Sequence, residues 1–286
     1  MRKLVKRLFL LLVCALTIIL TDACKEKDNP EVPSVIYGRE GDTCQLSKIT
    51  VGTWDYLRYD YTNRTVRKVT LHTQNADFPC ELIYSNGRLQ RVSGKIMDTS
   101  YEYDAKGRVI KENRTLHNDD VNTLIPHFGA RIFEYNDADQ VVKCSYVEGR
   151  GTEYNSFYVK KGEIYRYETY AYDVQGDVFG MVAYEREAKS EKFKVTADYT
   201  FFHDKLISPF YGHPGIFDFN LYFGNESGNG PAVFSKHNIV RRVENGISSS
   251  TTYTYTGNRY PLKATHFPWT DNFFVDDIRF EYLNCK

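Results

Sequence analysis

The stretch Tyr101-Glu102-Tyr103-Asp104-Ala105-Lys106-Gly107-Arg108-Val109-Ile110-Lys111 constrains this chain more than any other. Two tyrosines two residues apart share one face of an extended segment. Asp104 to Gly107 then supplies a turn, with glycine for the left-handed position, and Val109 leads a returning strand. Degraded copies follow the same plan. Leu82 to Leu89 contains Asn86-Gly87, the pair that favours a two-residue hairpin turn. Phe133 to Val141, Phe157 to Ile164, Tyr170 to Val178 and Tyr253 to Leu262 repeat the aromatic pair, the polar turn and the apolar return. The copies are too unevenly spaced for a strict solenoid. They predict an all-β fold: a soluble, antiparallel up-and-down meander closed or nearly closed into a barrel.

Few stretches favour helix. Residues 118–129 contain Pro126, which limits any helix there to a turn. Residues 185–194 read as a helical turn or a long hairpin tip, residues 224–231 as a plain loop, and His203-Asp204 as a hairpin turn following Phe201-Phe202.

The N-terminus carries a different message. Arg2, Lys3, Lys6 and Arg7 precede a 13-residue apolar run, residues 8–20, which ends in small residues before Cys24. That is the layout of a cleavable export signal, and the run is shorter than the roughly 20 residues a spanning helix needs. Ala23-Cys24 places a cysteine at the cut, so residues 1–23 are expected to leave and Cys24 to carry lipid. Residues 24–44 are then a linker and residues 45–286 one all-β domain. Removing residues 1–23 takes away four basic residues and one acidic one, leaving 33 and 36 and a net charge of −3. Nucleic acid is not an expected partner, because its binders carry a basic patch or stripe.

Cys44, Cys80, Cys144 and Cys285 remain as disulfide candidates, with three pairings open. Their spacing excludes a CxxC redox or zinc-ribbon site. No HExxH, P-loop or GxSxG occurs. His203-Asp204, Asp119-Asp120 and Asp276-Asp277 lack ligand spacing, so no catalytic residue, metal ligand or cofactor is predicted, and the chain is read as not being an enzyme. The binding content is aromatic, among 23 Tyr, 18 Phe and two Trp. Trp54, Trp269, Phe273 and Phe274 are the candidate ligand contacts, with residues 266–274 read either as exposed rings or as a plug closing one end of the barrel.

The unit from Tyr101 to Val109 is similar to the YD repeats of bacterial surface and toxin proteins. It also resembles the hairpins of a family of Bacteroidota surface lipoproteins of unknown function with a porin-like fold. That family shares the lipidated N-terminus, the chain length and a C-terminal Tyr-x-Tyr…Tyr-Pro-x-Lys, here Tyr253 to Lys263. Lys25-Glu26-Lys27-Asp28 resembles the signal that sends such lipoproteins to the outer leaflet, with the periplasmic face as the alternative. The resemblance implies membrane attachment through the lipid and no activity. Strands such as residues 64–70 carry too many charges for a bilayer-embedded barrel, where each costs roughly 2–4 kcal/mol at the midplane. Two functions are therefore carried forward. One is a non-catalytic surface module that binds a glycan, a lipid or a partner protein. The other is a structural or assembly component of an outer-membrane complex, with a filled barrel and no ligand.

Overall fold

The computed structural model describes residues 44–52, 54–72, 76–95, 97–117, 128–149, 160–187, 190–211, 230–257, 259–267 and 275–284. The chain divides into two units, Met1–Ser34 and Val35–Lys286, and every described residue belongs to the second.

Among the described residues that unit holds seventeen strands and one short helix. β1 (Gln45–Val51) is followed by the hairpins β2 (Trp54–Thr62) with β3 (Thr65–His72), β4 (Asp77–Ser85) with β5 (Arg88–Gly94), and β6 (Met97–Tyr103) with β7 (Val109–Leu116). Next come β8 (Phe128–Tyr135) with β9 (Val141–Glu148) and β10 (Ile164–Tyr172) with β11 (Val178–Arg186). The 15-residue β12 (Phe193–Ile207) leads to helix α1 (Gly230–Phe234) and β13 (His237–Glu244). β14 (Ile247–Ser250), β15 (Thr252–Tyr255), β16 (Pro261–Phe267) and β17 (Val275–Leu283) complete the set. All registered pairs are antiparallel. β1 lies between β2 and β17, so the first strand joins the last and the meander is nearly closed into a barrel. The predicted all-β barrel is therefore the observed fold.

Two turn chemistries explain most of the hairpins. Asn63-Arg64, Asn86-Gly87 and Asn245-Gly246 have φ of 48° and 65°, 51° and 72°, and 48° and 85°, the two successive left-handed residues of a type I′ turn. The second chemistry belongs to the aromatic motif. Asp104, Asn136, Asp173 and Thr256 each open a turn in which the side-chain oxygen accepts from the backbone N–H four residues on, at 2.9, 3.0, 3.0 and 3.2 Å. The residue three places after each opener is left-handed: Gly107 at 86°, Asp139 at 60°, Gly176 at 86° and Arg259 at 71°. A register shift falls just before the second aromatic of each copy, at Tyr103, Tyr135, Tyr172 and Tyr255. The extra residue lies on the returning strand, at Ile110, Val142, Phe179 and Leu262, so the tyrosine keeps the face of the aromatic two residues before it.

The inward tyrosines join neighbouring hairpins. Tyr103 donates its hydroxyl to the carbonyl of Leu89, Tyr135 to Val109 at 2.6 Å and Tyr172 to Val141 at 2.8 Å. In each case the acceptor is the first apolar residue of the preceding hairpin's returning strand. The residue before it lies over the next turn. Arg88 sits over the Tyr103 ring at 5.6 Å and Arg108 over the Tyr135 ring at 4.6 Å, and the amide of Gln140 lies beside Gly176. The recurring motif thus codes the contact between hairpins as well as each turn.

The buried apolar side chains of the described residues form a hydrophobic core cluster. It contains Leu46, Tyr59, Val66, Val69, Tyr101, Phe133, Tyr170, Val178, Tyr199 and Phe280, drawn from strands around the whole ring. Helix α1 adds Val233, which is buried, and Phe234, whose ring meets Phe133 and Tyr170 edge-on at 6.4 and 5.3 Å.

The structure revises two local expectations and decides between the alternatives for a third. Residues 224–231 are not a plain loop throughout, because Gly230 and Pro231 begin α1, where the missing proline N–H is not needed. His203-Asp204 is not a turn; it lies inside β12, at an interruption of its pairing with β13. Glu185 and Arg186 end β11 and pair with Lys194 and Phe193 at the start of β12, which is the hairpin-tip alternative for residues 185–194. Residues 118–127 lie outside the described residues.

Candidate functional site

Strand parity places a row of charged and aromatic side chains inside the barrel. Tyr101, Glu112, Arg131, Tyr146, Arg166 and Glu185 are direct partners across six consecutive strands, β6 to β11. A parallel row, Phe133, Cys144, Glu168, Ala183 and Ala197, runs from β8 to β12. The two alanines leave room beside Glu168 for the phenol of Tyr170.

Glu112 and Glu168 anchor these rows, at 1% and 0% exposure. Glu112 binds Arg114 through Oε1 at 2.7 Å and Arg131 through Oε2. Burial pushes its carboxyl up, but the Arg131 and Arg114 guanidiniums outweigh that and hold it below the usual carboxylate range. Glu168 accepts from Arg166 at 2.9 Å and from the hydroxyls of Tyr146 and Tyr170 at 3.2 and 2.5 Å. Arg166 also reaches Glu185 at 3.6 Å. Burial, with the neighbouring carboxylates second, drives Tyr101, Tyr146 and Tyr170 well above the ordinary phenol value. A carboxylate with both oxygens committed to cations or phenols fixes strand register; moving a proton would require breaking those bonds.

A second cluster lies where the repeat breaks off. Asp177 stands at the place occupied by Arg88, Arg108 and Gln140 in other copies, yet it is fully buried. It accepts from the backbone N–H of His237 at 3.0 Å and pairs with His237 Nδ1 at 2.6 Å. The hydroxyl of Ser235, just after α1, accepts from Val178 N–H at 3.0 Å. Asp204, on the interrupted part of β12, accepts from Leu206 N–H at 2.8 Å, from the amide of Asn238 and from the hydroxyl of Tyr255. His203 lies among these groups with its Nε2 buried and without a hydrogen-bond partner. Burial pulls its pKa below the ordinary histidine value, although Asp177, Asp173 and Asp204 pull the other way. Among the described residues, no three His, Cys, Asp or Glu side chains are grouped to hold a metal ion.

The structure treats the sequence candidates unevenly. Trp54 opens β2, whereas Cys24, Trp269, Phe273, Phe274 and Cys285 lie outside the described residues. Cys44 is disulfide-bonded to a cysteine outside them. Cys80 and Cys144 are free thiols, a correction to their place among the disulfide candidates. Cys80 lies across from Val69 and Gly94, and Cys144 from Phe133 and Glu168, so neither meets a second cysteine across the ladder.

Sequence reasoning missed the charged row. The signal was strand parity: Arg166 and Glu168 stand four and two residues before Tyr170, and Arg131 two before Phe133, so all share the motif's inward face.

No family model matches this sequence and no curated protein matches it. Solved structures do. A porin-like protein from Bacteroides uniformis superposes with a TM-score of 0.48 at 12% identity, over 83% of this chain and 98% of that one. A porin-like protein from Bacteroides vulgatus gives 0.38 at 10% identity, over the same shares. The Photorhabdus luminescens Tc holotoxin pore gives 0.32 at 12% identity, over 79% of this chain and 12% of that one. The resemblance drawn from the hairpin motif rests at the level of β architecture, which the strand ladder establishes by itself.

Proposed function

We propose that this chain is a cell-envelope lipoprotein, anchored through Cys24, whose barrel is a non-catalytic module that engages its partner from outside. The observation that carries this reading is how the described interior side chains are committed to one another. Core side chains from around the ring pack together, and the buried carboxylates of Glu112 and Glu168 are committed to arginines and phenols. Polar groups so committed are not free to orient a small ligand, so the partner is assigned to the outer wall and the ends.

The outer wall has features to offer. Phe179 and Phe202 are 46% and 39% exposed on β11 and β12, with the Arg241 guanidinium 3.6 Å from the Phe202 ring centroid. Arg58, Asp60, Arg67, Lys68 and Glu81 are also exposed. Their cost in hydrocarbon favours a barrel tethered to a membrane over one embedded in it. The disulfide at Cys44 fits an exported protein.

The same committed side chains equally favour the second reading, a structural or assembly component of an outer-membrane complex. A thermal-shift and glycan-array screen of the full chain separates the two. A saturable shift lost in Phe202→Ala supports a glycan- or lipid-binding module. No shift, with a specific protein cross-linked in intact cells, supports the assembly role. Label from an alkyne fatty acid, read by coupling to an azide dye, that persists in Cys24→Ala would sink the lipid anchor.

A further inference from the structure

We propose that Asp177, His237 and His203 form an acid-released latch that fastens helix α1 and the start of β13 to the β10–β11 turn. The proposal starts from the broken repeat. In three copies, the residue before the returning strand leans over the next turn as Arg88, Arg108 or Gln140. In the fourth it is Asp177, buried, and it grips both the backbone and the ring of His237. That grip holds the strand that follows α1, while Ser235 accepts from Val178 beside it. Two residues of α1, Val233 and Phe234, are thereby kept in the core against Phe133 and Tyr170.

His203 supplies the response to acid. It faces Asp173 and Asp177 from the β10–β11 turn, His237 from β13 and Asp204 from its own strand. Asp204 in turn is tied to Asn238 of β13 and Tyr255 of β15. Lys236 lies across the same turn at Gly176, and Tyr211 stands beside Asp177. The imidazole has a buried Nε2 with no partner, so a proton added there would create a desolvated cation. The three aspartates favour that charge and His237 opposes it, but desolvation dominates.

The sign of the linkage follows. The folded pKa of His203 lies below the ordinary 6.5, so a conformer that exposes the ring binds the proton first. The latch is intact above pH 6.5 and weakens as the pH falls through that value.

Amide exchange on the full chain, corrected for the intrinsic effect of pH, tests this. Protection over residues 230–240 should fall by about five- to tenfold between pH 7.5 and 5.5, the opened ring taking up its proton over that window, while β3 stays unchanged. In His203→Gln the fall should vanish. Protection that is flat in the wild type, or that still falls in His203→Gln, would overturn the proposal. Should that variant fail to fold, NMR titration of the wild-type imidazoles decides: His203 titrating below 6.5 supports the latch, and at or above 6.5 refutes it.

Discussion

At the scale of single residues, the left-handed turn positions show how one backbone demand is met with different side chains. Gly107 and Gly176 meet it without steric cost, whereas Asp139 and Arg259 meet it as non-glycine residues at φ of 60° and 71°. Arg259→Gly should therefore raise stability by up to about 1 kcal/mol. Gly107→Ala should lower it by about 1 kcal/mol or more, because its Cβ would also stand 3.0 Å from the Arg88 guanidinium. Urea midpoints of the two variants check both signs. This part of the molecule was legible in advance, since the turn residues announce themselves. Asp139 and Arg259 also show that the motif survives the loss of its glycine when the opening Asn136 or Thr256 still caps the turn.

At the scale of strands and hairpins, the buried arginine–glutamate pairs decide how β6 to β11 align. A one-residue slip would drive Glu112, Arg131 and Arg166 to the outer face and leave apolar residues in water. Removing one partner of a buried pair costs about 3–5 kcal/mol, because the other charge stays buried. Arg131→Met should lose an amount of that order, and the double variant Glu112→Leu with Arg131→Met should recover part of it, as chemical denaturation of the set would show. The pH dependence has the opposite sign to that of His203. The folded pKa of Glu112 is held below the ordinary 4.5, so its contribution is present above pH 4.5 and lost as the pH falls below it. In Glu112→Gln the acid limb of the stability curve should be shallower. The pairs themselves were not legible in the sequence. Parity could place Arg131, Arg166 and Glu168 inward, but which carboxylate meets which guanidinium depends on register across six strands.

At the scale of the whole molecule, closure rests on β1. It pairs with β2 and with β17, and Asn284 donates to the Gln45 side chain at 2.8 Å where the two ends meet. Cys44 stands immediately before β1 and is disulfide-bonded, while Cys80 and Cys144 are free. Under the proposed processing, in which residues 1–23 leave and Cys24 is acylated, Cys285 is the cysteine left for Cys44 to pair with. Non-reducing peptide mapping of the mature protein should find Cys44 linked to Cys285, and two alkylatable thiols at Cys80 and Cys144. Reduction should then lower stability by up to about 5 kcal/mol, since the bond closes a loop of more than 200 residues. A map that finds Cys44 alkylated without reduction would refute the clasp.

The sequence by itself determined the strand class, the hairpin turns and the inward face of each strand. All three follow from interactions between residues close together in the chain: period-two patterning, side-chain caps and left-handed glycines. The tertiary structure alone decided that β1 closes the ring, that α1 seats Val233 and Phe234 in the core, and that Asp177 meets His237 sixty residues away. Those contacts join segments far apart in sequence, and their partners are chosen by register, closure and the space that packing leaves, none of which is written in a local pattern.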